Sequence, residues 1–125
     1  MNKNGGIKVV EILEYYDMIH FLIGKDIDNN RYICVLYDDT PVPKYFGVKL
    51  TKDRLQSFYK KEVDLRSLYI EPKSKDDLYI VTKNVTSVSF DEYGLYSFKD
   101  FDEVLTEDML PREGYYYESK ISVLF

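Results

Sequence analysis

The stretch IHFLIGKDIDNNRYICVLY, residues 19–37, decides the fold. Two apolar segments rich in β-branched and aromatic residues flank a polar turn over residues 25–30, and this pattern is typical of a β-hairpin. In the second arm, residues 32–37 are apolar at both even and odd positions. Because alternate residues of a strand point to opposite faces, we predict a central strand that is covered on both sides.

The rest of the chain predicts further strands around one main helix. Thr51 is a suitable N-cap for a segment with apolar residues at helical spacing, which predicts a helix over about 52–61. Asp64 is placed to cap a short helical turn over about 64–69. With about 6–8 strands, the chain is predicted to form an α+β fold, a mostly antiparallel twisted sheet with one main helix.

Length and composition set limits on the organisation of the chain and on its partners. At 125 residues it is predicted to have a flexible lead over residues 1–6 and a single α+β domain over residues 7–125. The single cysteine cannot form an intramolecular disulfide and no apolar leader opens the chain, so we expect a cytoplasmic protein. A net charge of -5 disfavours nucleic acid, and no apolar run is long enough to cross a membrane.

The single cysteine and the single histidine are the first candidates for catalysis. Cys34 and His20 lie in opposite arms of the hairpin, and a nucleophile–base pair needs heavy atoms about 3 Å apart. A two-residue turn at residues 28–29 or 29–30 places the two side chains on opposite faces, whereas a three-residue loop corrects the face but leaves them too far apart. We predict that Cys34 is an inert core thiol and that His20 is structural.

Motifs for metals and phosphates are incomplete in this sequence. The spacing of Asp26, Asp28 and Asn30 resembles the start of a calcium loop, but Arg31 and Tyr37 stand where such a loop needs glycine and glutamate. One histidine and one cysteine cannot supply a zinc site, and no glycine-rich phosphate loop precedes a helix. We predict no metal, no cofactor and no enzymatic activity.

Neighbouring carboxylates occur in several loops, of which Asp38 and Asp39 are the most informative. They follow the central strand and precede a segment with prolines at both ends, residues 41–43. Catalysis by carboxylates needs two groups that converge from different elements, which neighbours in one loop do not establish. We predict that Asp38 and Asp39 are solvated or complement a basic patch on a protein partner; an enzyme built on carboxylates alone is a further alternative.

Tyrosine is the residue that stands out in the composition. The chain has 13 Tyr and no Trp, and Tyr115, Tyr116 and Tyr117 are consecutive. Successive strand residues face opposite ways, so at least one of these rings is expected to meet solvent or a partner. Tyr offers a large contact area with a polar tip, which suits interfaces, although half-exposed Tyr is also common in strands. We predict partner contact through these three residues.

Four short segments occur in an order that resembles a known family. They are NRYICVLYDD at 30–39, VKLTKDRL at 48–55, VDLRSLY at 63–69 and LPREG at 110–114. This order resembles a family of small uncharacterised bacterial proteins with a buried strand, a helix start, a short turn and a closing loop. The resemblance covers about residues 15–117 and implies an α+β fold of this kind. It implies no activity, cofactor or site residue.

These observations favour a non-enzymatic protein-binding module that acts by surface occlusion, of the inhibitor, immunity or bacterial defence or anti-defence accessory type. The alternative is a small-ligand or nucleotide pocket in which aromatic rings stack on a base and Arg31, Arg54 or Arg66 meets phosphate. The chain closes with an alternating pattern that ends on Phe125. Its C-terminal strand is expected either to pair within the sheet or to join two copies as a homodimer.

Overall fold

A computed structural model gives the structure of the protein and describes residues 3–16, 18–39, 42–70, 78–82, 92–97, 114–117 and 121–122. The strands in these ranges are β1 (Lys3–Tyr16), β2 (Met18–Lys25), β3 (Arg31–Asp38), β4 (Lys44–Leu50), β5 (Leu78–Thr82), β6 (Glu92–Ser97) and β7 (Ile121–Ser122). The helices are α1 (Lys52–Tyr59) and α2 (Leu65–Ile70). Within these ranges, no helix is both long and apolar enough to span a membrane.

Six of the strands form a closed antiparallel barrel. Each strand from β1 to β6 pairs with the next one in the chain, and β6 pairs back to β1. Residues 3–8 of β1 pair with β6, and residues 8–16 pair with β2. β7 pairs with Glu11 and Ile12 of β1 in the same chain. It lies along the edge of β1 that pairs with β6 at residues 3–8. A homodimer through the C-terminal strand stays a prediction.

The predicted α+β class is therefore wrong, because the sheet is closed and its helices are short. α1 spans Lys52–Tyr59 where the sequence predicts 52–61, and α2 spans Leu65–Ile70 where it predicts 64–69. The alternation of apolar residues along a strand is the same in an open sheet and in a barrel. Closure depends instead on β1, which begins at Lys3, within the segment assigned to a flexible lead.

Side chains from all six strands fill the interior of the barrel. The interior cluster consists of Ile7, Val9, Ile12, Ile19, Leu22, Tyr32, Cys34, Tyr45, Val81, Tyr93 and Leu95. The rings of Tyr45 and Tyr93 meet edge to face with centroids 5.5 Å apart, and the Tyr45 hydroxyl donates to the Ile19 carbonyl at 2.7 Å. These contacts join strands that are not neighbours. A Cβ on Gly47 would approach Val81 Cγ2 to 3.0 Å, so the interior is a packed core.

A second core lies between the outer face of the barrel and the two helices. The outer cluster consists of Leu13, Ile23, Ile33, Val35, Phe46, Val48, Leu50, Phe58, Leu65, Leu68, Tyr69 and Ile80. The Tyr69 hydroxyl donates to the carbonyls of Ile33 and Phe46, at 2.9 and 3.3 Å, and so fixes α2 over β3 and β4. The prediction that β3 is covered on both faces is confirmed: the interior covers one face and the helices cover the other.

Both predicted helix caps are confirmed. The Thr51 hydroxyl accepts a hydrogen bond from the Arg54 N–H at 3.3 Å at the start of α1. Asp64 Oδ1 accepts one from the Ser67 N–H at 2.9 Å at the start of α2. Each cap satisfies a backbone donor that has no partner within its helix.

A disulfide between β1 and β6 tests the closure of the barrel. Lys8 and Glu92 are directly opposed, and opposed residues have Cα atoms about 4.5–5.5 Å apart, within the reach of a disulfide. We expect Lys8→Cys combined with Glu92→Cys to form an intramolecular disulfide on mild oxidation, seen as a loss of titratable thiols. Cys34 is fully buried and stays unreactive, and Lys8→Cys alone is the control. In an open meander from β1 to β6 these two strands lie at opposite edges of the sheet, and no such bond forms.

Candidate functional site

The tyrosine segment, residues 114–117, lies against the start of α2. Gly114 has a φ of 83°, a conformation that suits glycine, and its N–H donates to Asp64 Oδ2 at 2.9 Å. The carbonyl of Tyr115 accepts a hydrogen bond from the Leu65 N–H at 2.7 Å. The start of α2 therefore holds the tyrosine segment through both a side chain and the backbone.

Within the tyrosine segment, the outer two tyrosines are half-buried and the middle one is exposed. The ring of Tyr115 packs edge to face on Phe21 with centroids 5.3 Å apart, and its hydroxyl donates to the Leu13 carbonyl at 3.4 Å. The ring of Tyr117 packs edge to face on Phe58 and Tyr59 of α1. Tyr116, between them, is 48% exposed. The prediction that at least one of these rings meets solvent or a partner is confirmed for Tyr116, although the three residues do not lie in a strand, as that prediction assumed.

Glu11 is the residue that anchors Tyr117. The Tyr117 hydroxyl donates to Glu11 Oε2 at 2.7 Å, and the Tyr59 hydroxyl donates to Glu11 Oε1 at 3.3 Å. The rings of the two tyrosines meet edge to face with centroids 4.7 Å apart. Glu11 is only 7% exposed and is the only buried charged side chain among the described residues. A buried carboxylate of this kind needs donors, and the two phenols provide them.

A bulge in β1 explains why Glu11 faces outward. Val9 opposes Gly24 and Glu11 opposes Ile23, so one extra residue of β1 lies between them. Val9 belongs to the interior cluster, whereas Val10 packs against the outer cluster. The bulge therefore places two consecutive side chains, Val10 and Glu11, on the outer face, where the helices and the tyrosine segment lie.

The electrostatics of this cluster favour a holding role over proton transfer. Desolvation raises the pKa of Tyr59, and the Glu11 charge and the Tyr117 hydroxyl raise it further. The guanidinium of Arg31 lowers this pKa by a smaller amount. Tyr59 therefore stays protonated and remains a donor at neutral pH. Both oxygens of the Glu11 carboxylate accept a hydrogen bond from a phenol. The arrangement fastens the tyrosine segment to the barrel.

Asp64 is a second carboxylate that fastens this segment. Its Oδ1 accepts hydrogen bonds from the Ser67 N–H and, at 2.6 Å, from the Ser67 hydroxyl, while its Oδ2 accepts one from the Gly114 N–H. The pKa of Asp64 is lowered, chiefly by the hydrogen bond from the Gly114 N–H and next by that from the Ser67 hydroxyl. Desolvation acts in the opposite direction but has a smaller effect. The residue predicted as a helix cap thus also joins α2 to the tyrosine segment.

The predicted acidic contact residues lie at the end of β3. Asp38 Oδ2 is 4.0 Å from Lys44 Nζ, and Asp39 is exposed. Tyr115 packs on Phe21, which opposes Val35 of β3. At the usual rise per residue, Asp38 lies about 10 Å from Val35 along that strand. This distance is within the span of a single protein interface.

The structure separates His20 from Cys34. Asp26 N–H donates to the Asn30 carbonyl, so the hairpin loop has three residues. Of the two alternatives, this is the one in which the two side chains share a face but lie too far apart. Cys34 opposes Leu22, which puts His20 two residues, or about 7 Å, further along β2. Burial alone raises the pKa of the Cys34 thiol. The core position of Cys34 is confirmed, and its environment does not activate it.

The tip of the β2–β3 turn is a feature that sequence reasoning missed. Ile27 is 98% exposed there. The turn is built on Asp26: its Oδ1 accepts from the N–H groups of Asp28 and Asn30, and its Oδ2 accepts from the Asn30 amide and the Tyr32 hydroxyl. The signal in the sequence is a single isoleucine within an otherwise polar turn. The described residues contain no group of three or more His, Cys, Asp or Glu placed to hold a metal ion.

The arginines of the alternative nucleotide pocket have structural contacts. Arg31 Nη1 donates to the Asn29 side chain at 2.6 Å, and Arg54 Nη2 donates to the Ser67 carbonyl at 3.3 Å. The barrel interior, which could have held a base, is filled by the side chains of the interior cluster. A nucleotide pocket stays a prediction, and no described contact favours it.

Comparison with known proteins gives no family for the chain. No protein-family model matches it, and neither does any curated protein or solved structure. The resemblance to small bacterial proteins therefore stays a prediction. The geometry itself defines a closed six-stranded antiparallel barrel with a tyrosine segment fastened to its outer face.

Alkaline titration tests the burial of the tyrosines. Desolvation raises the pKa of the five residues Tyr32, Tyr45, Tyr59, Tyr69 and Tyr93. The folded state holds these protons more tightly than the unfolded chain, so their contribution to stability is complete below pH about 10 and is lost as the pH rises further. We expect part of the tyrosinate absorbance to appear only together with the loss of circular dichroism. Full ionisation of all tyrosines before unfolding would contradict this burial.

A double-mutant cycle tests the bond between Tyr117 and Glu11. We expect Tyr117→Phe to lower the free energy of unfolding by about 1–2 kcal/mol, because it removes a donor to a buried carboxylate. In a Glu11→Gln background the same change should cost less, since the acceptor is no longer charged. Tyr116→Phe is the matched control and should leave stability within about 0.5 kcal/mol of the wild type. Strict additivity in denaturant titrations would show that the two side chains are not coupled.

Proposed function

We propose that the protein is a non-enzymatic protein-binding module that covers a surface of its partner, as an inhibitor, an immunity protein or an accessory of bacterial defence or anti-defence. Its contact with the partner centres on Tyr116. The observation that carries the proposal is that Tyr116 is exposed while both of its neighbours are fastened to the barrel.

The fastening of the tyrosine segment favours binding. A side chain on a mobile loop loses conformational entropy when it meets a partner, whereas here folding has already ordered the backbone. Glu11 and Asp64 hold the segment at its two ends. A large amphipathic ring in a fixed position is what binding hot spots commonly contain. In this proposal Tyr115 and Tyr117 support the contact, and Tyr116 makes it.

Charge indicates the kind of surface that is covered. The chain carries a net charge of -5. Asp38 lies about 10 Å along β3 from Val35, which opposes the Phe21 on which Tyr115 packs, and Asp39 follows just beyond the end of the strand. An acidic protein is attracted over long range to a basic one, which speeds association at low ionic strength. We infer a protein partner with a basic patch, which Asp38 and Asp39 complement beside the Tyr116 contact.

Substitution of Tyr116 tests the proposal. The tagged full-length chain is used to isolate a partner from its source cells, and the purified pair is then titrated by calorimetry. We expect Tyr116→Ala to weaken the affinity at least about tenfold, as truncation of a binding hot spot does. Its melting temperature should change by no more than a few degrees, because the ring is largely exposed.

Tyr15→Ala is the matched control for this experiment. Tyr15 is 51% exposed, and it opposes Ile19 of the interior cluster. Directly opposed residues share a face of the sheet, so Tyr15 lies on the interior face and not on the outer face that carries the tyrosine segment. We expect this variant to bind normally. An unchanged affinity of Tyr116→Ala, or an equal loss in both variants, overturns the assignment of the contact to Tyr116.

A further inference from the structure

The β2–β3 turn presents one apolar side chain, Ile27, beyond the barrel. We propose that Ile27 inserts into an apolar pocket of the partner protein, next to a cationic side chain of that partner which pairs with Asp28. This inference rests on the proposed function and adds a second contact to it. The second contact lies at the β2–β3 turn and combines an aliphatic side chain with an ion pair, whereas the Tyr116 contact is a single aromatic ring.

The turn is built to hold Ile27 in one position. Both oxygens of Asp26 accept hydrogen bonds, four in all, from the backbone and side chains of the turn and from Tyr32. Asn29 has a φ of 68°, the left-handed conformation that closes a three-residue hairpin loop. The Arg31 guanidinium donates to both the side chain and the carbonyl of Asn29. A turn braced in this way loses little entropy on binding.

The surroundings of Ile27 define what can cover it. A single protruding aliphatic group between polar neighbours is buried by a concave pocket and not by a flat surface, and the polar neighbours then meet the rim. The Asp26 carboxylate is occupied within the turn. The exposed Asp28 carboxylate accepts no hydrogen bond and forms no ion pair within the described part of the chain. Asp28 is therefore the group that a cation on the rim of the pocket would pair with.

Ile27 and Tyr116 are linked through a short chain of contacts. The Tyr117 hydroxyl donates to Glu11, which opposes Ile23 of β2, and the turn begins at Asp26, about 10 Å further along that strand. Arg31, which braces the turn, opposes Leu50, two residues before α1, so the turn and α1 begin at the same end of the barrel. One partner can thus meet both exposed side chains.

Two other occupants fit the observations less well. One buried isoleucine contributes about 1.5–3 kcal/mol, which does not anchor a protein to a bilayer, and anionic lipids repel an acidic chain. A second copy of the chain carries the same net charge of -5 and offers no excess of cations to Asp28. A basic protein partner with an apolar pocket buries the Ile27 side chain and pairs with the Asp28 carboxylate at the same time.

The experiment compares variants of the turn with the Tyr116 variant, using the partner isolated above. We expect Ile27→Ala to weaken binding at least about tenfold and Ile27→Val to stay close to wild type, because only the first empties the pocket. Asp28→Asn should weaken binding several-fold and reduce its dependence on salt. Lys52→Ala, an exposed change on α1, is the control for substitution alone. Melting temperatures should stay within a few degrees of wild type in all of these variants.

The outcomes separate the two ideas. Normal binding by Ile27→Ala together with loss in Tyr116→Ala overturns this inference and keeps the proposed function, whereas the reverse pattern keeps the Ile27 contact and overturns the Tyr116 site. If no partner binds, both fail. Flotation of the wild type with phosphatidylcholine–phosphatidylserine vesicles, or self-association in light scattering that Ile27→Ala abolishes, assigns the turn to a membrane or to a second copy and overturns the inference.

Discussion

The structure depends on one strand, β1, pairing with two partners in succession. Its residues 3–8 pair with β6 and its residues 8–16 pair with β2, which joins the two ends of a meander into a ring. All described members of the interior cluster come from strands, and neither of the two described helices contributes to the packing of Tyr45 and Tyr93. They are buried because the sheet closes around them. Closure also pairs strand edges that an open sheet would leave free for other chains.

The same strand determines what can be built on the outside. A strand of ideal geometry would alternate faces through Val9, Val10, Glu11 and Ile12, and Glu11 would then point into the apolar interior. The bulge avoids this by turning Glu11 outward with Val10. A carboxylate at that position still needs donors, and Tyr59 and Tyr117 supply them from two separate parts of the chain. The position of the tyrosine segment is thus a consequence of how β1 bends.

Local features of this protein could be predicted from its sequence, and global ones could not. The hairpin around residue 28, the two-sided burial of β3 and the caps Thr51 and Asp64 follow from residue types and their spacing. Closure does not, because residues 3–8 and 92–97 must meet across most of the chain and no local pattern encodes that pairing. The length of the hairpin loop stayed open between two and three residues at the level of sequence. The structure has three, with Asn29 in a left-handed conformation, and a polar run does not show which residue will adopt it. The exposure of Ile27 depends on that geometry.

Five acidic residues of the described structure fall into two groups with different roles. Glu11, Asp26 and Asp64 accept hydrogen bonds from within the chain, and each holds a segment that would otherwise be a free loop or an open turn. Asp28 and Asp39 are exposed. The first group fixes the backbone beneath Tyr116 and Ile27, whereas Asp28 places a negative charge next to Ile27 and Asp39 places one beyond the end of β3. Apolar anchors in fixed positions give affinity, whereas the surrounding charge selects basic surfaces and repels acidic ones. The proposed function, covering a basic protein surface, needs both properties. In that proposal acidic residues serve both, and the role of each depends on whether its oxygens accept hydrogen bonds inside the fold.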